Sequence, residues 1–404
     1  MSGPFVVGSH HLAAALVRLG HTVDHISAPL SLGHLALAMR DAHVRTRWRR
    51  WLRGGERVGG VKELVPLTAL PWSAMRRSRA LMNGYSTLLL AKPLRGAGGL
   101  ALDAADCLIV DEPRFVGLVC RQHRQAIIYR ATDLYAQMRA DPTVLDAERV
   151  VCQRANVLIA TSRPVAAHLF ALSQRAAHVM TNGVDFEHFA SPQVPSVTWD
   201  LPGRRATRAL YVGAFDGRFG VAALRNAATE LPEKSFILAG PGSEAASSLL
   251  SLANVIGLGA VKYEQLPALM QQCSVGLLPL SGHTANAGRS PMKLYEYAAA
   301  RLPIAATATD EIREHALPTL CLASDDQRFA EAVRRAFECA VDPYLVNAGR
   351  ERARDESWVS KARRLAELAV AARDGKDPAG AHFSETASAD EAAAALSRRD
   401  SVLG

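Results

Sequence analysis

Gly288-Arg289-Ser290-Pro291-Met292-Lys293-Leu294-Tyr295-Glu296-Tyr297, running on to Leu302-Pro303-Ile304-Ala305, is the stretch on which the reading of the chain turns. It spells a loop, a helix and a strand. Ser290 suits an N-cap and Pro291 the first helical position. Lys293 is then the third helical residue, where an ordinary helix prefers Glu or Gln. Its charge faces the positive end of the helix dipole, which is the unfavourable sign. Two readings follow. Either Lys293 leans into solvent at a cost of roughly a few tenths of a kcal/mol, or an anion sits at this helix start. In the second case Arg289, Ser290, Met292, Lys293 and main-chain N–H groups converge on a phosphate. Glu296 shares a helix face with Lys293. It either pairs with Lys293 or accepts from ribose hydroxyls one turn above the phosphate.

Upstream, Ser274 to Leu280 predicts a buried strand feeding the loop Ser281 to Arg289. Strands are also expected at Arg208–Val212, Ser235–Ala239, Asn254–Ile256 and Leu302–Ala306, with helices near Val221–Glu230 and Tyr263–Gln272. The anion candidate therefore lies beyond the carboxyl end of a parallel strand, where open α/β sheets bind ligands. The first half repeats the alternation. Asp106–Val110 ends in Asp111-Glu112-Pro113, and Gln125–Arg130 ends in Ala131-Thr132-Asp133. A helix over Asp146–Arg154 leads to strand Val157–Thr161. Ser162-Arg163-Pro164 opens another helix, and His178–Met180 is a short strand. Nearer the start, Ser9 caps a helix over His10–Leu19 that closes at Gly20, and His21–Ser27 alternates as a strand. Pro4–Gly8 is only a stub, so the first strand of this sheet is expected to be short or missing.

The expectation is an α/β protein of two Rossmann-like domains facing each other across a cleft. Residues 1–190 form the first. Residues 191–373 form the second, after a Pro/Ser/Gly-rich linker over Ser191–Arg208 and with the last helix able to pack back on the first domain. Residues 374–404 carry few large apolar side chains and read as a disordered tail. A length of 404 residues fits two domains. A 49% hydrophobic and 21% charged composition fits a soluble globular chain. There is no run long enough to span a membrane, no signal peptide at the start, no zinc spacing and no paired spacing among the six cysteines. These point to a reduced, cytoplasmic protein.

The net charge of +8 is concentrated. Arg40 to Arg79 holds eleven Lys/Arg against three Asp/Glu, with Trp48, Trp51 and Trp72 interleaved. Such a stretch suits an anionic membrane surface or a polyanion, or it is a solvated loop around core tryptophans.

Taken together, several short pieces resemble the GT-B glycosyltransferases. They are Gly8-Ser9-His10-His11-Leu12-Ala13 with Leu19-Gly20-His21, Tyr129 to Asp133, Thr181-Asn182-Gly183-Val184-Asp185, Tyr211-Val212-Gly213, Tyr263-Glu264-Gln265-Leu266-Pro267, and Ser290 to Pro303. The nearest resemblance is to bacterial exopolysaccharide and teichuronic-acid transferases, including the xanthan-type glucuronosyltransferase. The resemblance implies a nucleotide-sugar donor in the second domain, with a UDP-sugar favoured over a GDP-sugar. Met292 and Lys293 would contact the diphosphate and Glu296 the ribose. Gly213 and Gly240 would let the main chain approach the donor, or they serve only as turn glycines. It implies an acceptor in the first domain, lipid-linked through polyprenyl diphosphate or a growing glycan, with His10 and His11 either on the acceptor side or packed in the core.

Family-4 transferases carry two glutamates with seven residues between them, and Gly288, eight positions before Glu296, stands where the first would be. This favours an inverting branch, whose base is an aspartate that Asp133 matches. Asp133 or Thr132 could instead cap a helix from Leu134, and Asp111 and Glu112 are the fallback acids. The branch implies no required metal or other cofactor, no nucleic-acid partner, and peripheral association with the inner membrane face through residues 40–79. A retaining transferase and an inactive scaffold of the same fold are the alternatives.

Overall fold

The computed structural model describes residues 7–34, 41–68, 70–78, 80–82, 85, 105–121, 125–191, 199–242 and 247–375. The chain divides into two units. One comprises residues up to Thr181 together with Val359 onward, and the other Asn182–Trp358. Residues 182–190, expected in the first domain, count with the second because Phe186 and Phe189 on the helix Phe186–Ala190 enter its core.

The second unit is built on six parallel strands: β10 (Arg208–Val212), β11 (Ser235–Ala239), β12 (Val255–Gly259), β13 (Val275–Leu278), β14 (Ile304–Thr307) and β15 (Leu320–Ala323). Their order is β12-β11-β10-β13-β14-β15. Each central strand is an apolar run buried on both faces, as a parallel sheet covered by helices requires. Period-two alternation divides the side chains between two cores. Leu210, Val212, Ile237, Ala239, Leu278 and Ile304 face one way, onto the helix Lys293–Ala299. Ala209, Tyr211, Phe236, Leu238, Val275 and Leu277 face the other, onto the helices Val221–Glu230 and Phe329–Cys339. Fully burying each Leu, Ile, Val or Phe contributes about 1.5–3 kcal/mol.

The first unit carries a four-stranded parallel sheet, with β6 (Cys107–Val110), β7 (Ala126–Ala131), β8 (Val157–Ala160) and β9 (His178–Val179) in that order. The helix Arg163–Ser173 starts where expected, with Ser162 accepting from the Val165 amide at 3.3 Å. The helix Gly8–Arg18 ends with Gly20 at φ +91°, where a side chain would be strained. Its start differs from the expectation. Val7 holds the N-cap position, and the Ser9 hydroxyl lies 3.3 Å from His25 Nε2 instead.

The basic stretch also differs. It forms the helix Ala42–Leu52 and the strands β3 (Glu56–Val58), β4 (Val61–Leu64) and β5 (Leu67–Thr68). β4 pairs with β1 (Asp24–Ile26), and β5 with β2 (Leu30–Ser31). Asp41 caps the helix by accepting from His43 and Val44 amides. Trp48 packs among Leu30, Val44, Val65 and Leu67. Trp72 is buried and donates to Asp141 at 3.0 Å. The helix Trp358–Arg373 lies with the first unit from Val359 on, where Lys361 donates to Thr181 at 3.1 Å. The expected first-strand stub at 4–6, the linker core 192–198, most of the helix-like segment 81–94 and the tail from 376 lie outside the described residues.

Candidate active site

In the second unit the strand order reverses between β10 and β13, so a crevice opens at their carboxyl ends. Gly213-Ala214-Phe215-Asp216 leaves β10 there, and the loop to Arg289 leaves β13. The two segments are tied together. The Gly220 amide donates to Pro279 O at 3.0 Å, and Ser281 N donates to Arg218 O at 3.0 Å. Buried Asn286 donates to the Arg218 and Ser281 carbonyls at 3.0 and 2.9 Å. Arg289 lies close enough to this edge to act on two of its groups. Burial raises the Tyr211 phenol to about 12, and the Arg289 charge pulls against that rise. Burial also works to raise the Asp216 carboxyl, but bonds and charge from Arg218, with Arg289, bring it below the usual range.

The opening stretch is held differently from the expectation. The helix begins at Lys293 with Met292 at the N-cap position and no capping side chain. Ser290 does not cap it. Its hydroxyl accepts from the Asn182 amide at 3.1 Å, and its carbonyl accepts from Asn182 Nδ2 at 2.9 Å. The Leu294, Tyr295 and Glu296 amides already bond to the Pro291 and Met292 carbonyls. An anion here would meet the Arg289 and Lys293 side chains rather than a row of unused amides. Lys293 Nζ bonds to Glu296 Oε2, and Glu296 is almost fully buried. Of the two readings of Glu296, the ion pair is the arrangement this ligand-free structure holds.

Gly213 and Gly240 end neighbouring strands, and neither has a positive φ. A Cβ at Gly240 would stand 1.9 Å from the Gly213 carbonyl oxygen, and one at Gly213 would stand 2.6 Å from Tyr211 Oη. Close packing between the two turns demands glycine at 240, while at 213 it is the Tyr211 side chain that leaves no room. Sequence reasoning passed over Tyr297. Its hydroxyl accepts from the Val212 amide at 2.9 Å, and its ring covers Gly276, where a Cβ would come within 2.5 Å. The same helix thus holds Lys293 and fixes the end of β10.

In the first unit, Asp111, Glu112 and Asp133 share the carboxyl edge of β6 and β7, which pair in register. Asp133 is half-buried just beyond β7. The helix Tyr135–Arg139 has Leu134, not Asp133 or Thr132, at its N-cap position. The Thr132 hydroxyl lies 2.7 Å from Tyr135 Oη, which donates to the Asp111 carbonyl. Arg130, fully buried in β7, donates to Asp111 at 3.1 Å. Burial raises the Asp111 carboxyl against the pull of Arg130. Glu112 accepts two bonds from Arg114, at 2.9 and 3.0 Å, and one from Arg139. Both fallback acids are thus committed to arginines.

His10 and His11 stand in the first turn of Gly8–Arg18. The His10 ring lies 4.7 Å from that of His25, and burial lowers its pKa to about 4, with His25 adding to the effect. His11 is buried. No group of three His, Cys, Asp or Glu among the described residues could hold a metal.

Residues 2–161 match the family described as glucuronosyltransferase GumK, N-terminal domain, and residues 206–339 match glycosyl transferases group 1. Over these two segments the chain is similar to glycosyltransferases, and its fold is that of the GT-B enzymes. It is also similar to TuaH of Bacillus subtilis (strain 168), described as a putative teichuronic acid biosynthesis glycosyltransferase, at 27% identity over 220 residues. That match covers 50% of this chain and 55% of the relative, about half of its length. Among solved structures, sucrose-phosphate synthase from Thermosynechococcus elongatus superposes with a TM-score of 0.64 at 17% identity, over 89% of this chain and 91% of its own. Anabaena HepE in complex with UDP and glucose superposes with a TM-score of 0.61 at 15% identity, over 92% and 97%. At such identities these two show the fold.

Proposed function

We propose that this protein transfers a sugar from a UDP-sugar to a lipid-linked or polysaccharide acceptor with inversion at the anomeric carbon. The observation that carries the reading is the second unit's crevice at the β10/β13 reversal, edged by Gly213 and served by Arg289 and Lys293. The resemblance of that unit to a glycosyltransferase family gives the crevice its ligand. In this reading Lys293 leaves Glu296 for the donor diphosphate, and Glu296 accepts from the ribose. Met292 and Ser290 shape the floor, and Gly240 and Gly213 keep the strand ends close.

The first unit binds the acceptor. Asp133 takes the proton of its hydroxyl as that oxygen attacks the anomeric carbon. The bond from that carbon to the phosphate oxygen breaks, and UDP leaves with its charge met by Arg289 and Lys293. No cofactor enters the step. His10, neutral at pH 7, and His11 belong on the acceptor side. Membrane association rests on one helix face of Ala42–Leu52. Arg45, Arg49 and Arg53 are exposed along it, beside Leu52 at 71% exposure, a basic stripe with an apolar tip. Among the described residues no helix is long and apolar enough to cross a membrane. The placement proposed is peripheral, on the cytoplasmic face.

A thermal-shift series with UDP, GDP and UDP-sugars, followed by NMR of the product anomer, tests the reading. Stabilisation by UDP above GDP and a β-linked product from a UDP-α-sugar are expected. An α-linked product would overturn inversion, and no response to any nucleotide would overturn the donor site.

A further inference from the structure

The first unit contains an open cavity of about 630 Å³ that the reaction described above does not use. Four guanidinium groups line it, from four separate segments: Arg47, Arg76, Arg114 and Arg139. Arg76 pairs with Asp141 at 3.0 Å, and Arg114 and Arg139 share Glu112. Asp141 is saturated, since it also accepts from Trp72 and from the Thr143 amide and hydroxyl. Arg47 donates to Ser27 Oγ and the Ala28 carbonyl and pairs with no carboxylate among the described residues. Among the described residues, two guanidinium charges are therefore left unbalanced around one cavity. Burial depresses the pKa of Arg47, the mark of a cation held away from water without a counter-ion. His34 adds a donor. Its Nδ1 accepts from the Ser31 amide at 2.9 Å, so Nε2 carries the ring proton.

We infer that this cavity binds a diphosphate group carried by the acceptor. The inference rests on the proposed sugar transfer. A single carboxylate would satisfy one guanidinium fork, whereas a diphosphate brings two or more charges and enough oxygens for forks arriving from several directions. The volume suits a small-molecule site. Trp72, Met138 and Tyr85 supply apolar wall beside the cations, where the first units of a prenyl chain would lie.

The test titrates farnesyl diphosphate into the full-length protein with UDP saturating the donor site. Farnesyl monophosphate, farnesol and inorganic pyrophosphate are run in parallel. The expected result is binding of the diphosphate at least tenfold tighter than the monophosphate and far tighter than farnesol. Arg47→Gln and Arg139→Gln should each weaken it tenfold or more, with the Kd for UDP unchanged as proof of folding. Arg47→Lys, which keeps charge but loses the planar fork, should fall between. Pyrophosphate weaker than farnesyl diphosphate supports the site and assigns it to a lipid-borne group. Equal binding overturns the assignment to the acceptor, because the anion would then owe nothing to the lipid. Undiminished binding by both glutamine variants, or farnesol binding as well as its diphosphate, overturns the inference. If UDP itself does not bind, the donor reading fails, while the arginine dependence is still read from titrations without it.

Discussion

Asn182 and Ser290, 108 residues apart, are joined by two hydrogen bonds, one from the main-chain amide and one from the side-chain amide of Asn182. Through them, the turn that enters the second unit sets the position of the loop carrying Arg289. Asn182→Ala removes one bond, and Ser290→Ala leaves the Asn182 amide without its partner. Each should destabilise the protein by about 1–2 kcal/mol, measured by urea denaturation, and weaken UDP binding. Unchanged UDP affinity in both would separate this tie from the donor site.

Lys293 and Glu296 should act as a pair that ligand binding opens. Lys293→Met is expected to weaken UDP binding about tenfold or more, the scale of a lost charge-assisted bond. Glu296→Gln should leave uridine-free pyrophosphate binding intact while weakening UDP. Calorimetry with UDP and pyrophosphate checks both, and equal losses for the two ligands in Glu296→Gln would refute the ribose role.

Asp133→Asn should lower kcat by about 10²–10⁴-fold, the usual worth of a general base, with UDP affinity unchanged. Asp111→Asn should act mainly on stability, because Asp111 is the partner of fully buried Arg130. Full turnover in Asp133→Asn would move the base elsewhere.

The histidine pair gives a pH dependence with a definite sign. His10 titrates near 4 in the folded protein against 6.5 ordinarily, and His25 is lowered too, chiefly by burial. Between those values the unfolded chain binds more protons than the folded one. The stabilising contribution is therefore present above pH 6.5 and is lost as pH falls toward 4. His10→Gln should flatten the decline in Tm across that window. An unchanged slope would show that other groups govern acid sensitivity.

Gly240→Ala places a methyl where the Gly213 carbonyl stands. The strands must part, at a cost of about 1–3 kcal/mol or more, and donor binding should weaken with them. Denaturation midpoints with and without UDP report the two effects separately.

The parallel strands were legible because runs such as Phe236-Ile237-Leu238 and Ile127-Ile128-Tyr129 leave few other readings, and the carboxyl-edge placement of Asp133 and Lys293 followed from them. Ser290 was misread as a cap because its true partner is Asn182, a relationship no local pattern encodes. In the basic segment the reading of core tryptophans holds, but the expected solvated loop is a helix and strands. Charge was counted correctly, but Arg50 is buried through contacts with Glu56 and Glu63, and Trp48 and Trp72 are core residues. Glu56-Arg57-Val58 and Val61-Lys62-Glu63-Leu64 are short, charged strands whose pairing, not composition, makes them strands. Tyr297 looked like one more apolar helix position until its hydroxyl was found on the Val212 amide.

The helix from Val359 on belongs with residues that precede Thr181. On the ribosome, the second unit's last residue emerges before that helix does. The second unit can therefore complete its core while the first still waits for its closing element, reversing the usual order in which amino-terminal domains finish first. A nascent chain stalled before residue 359 would present a finished second unit while the first was still unfinished.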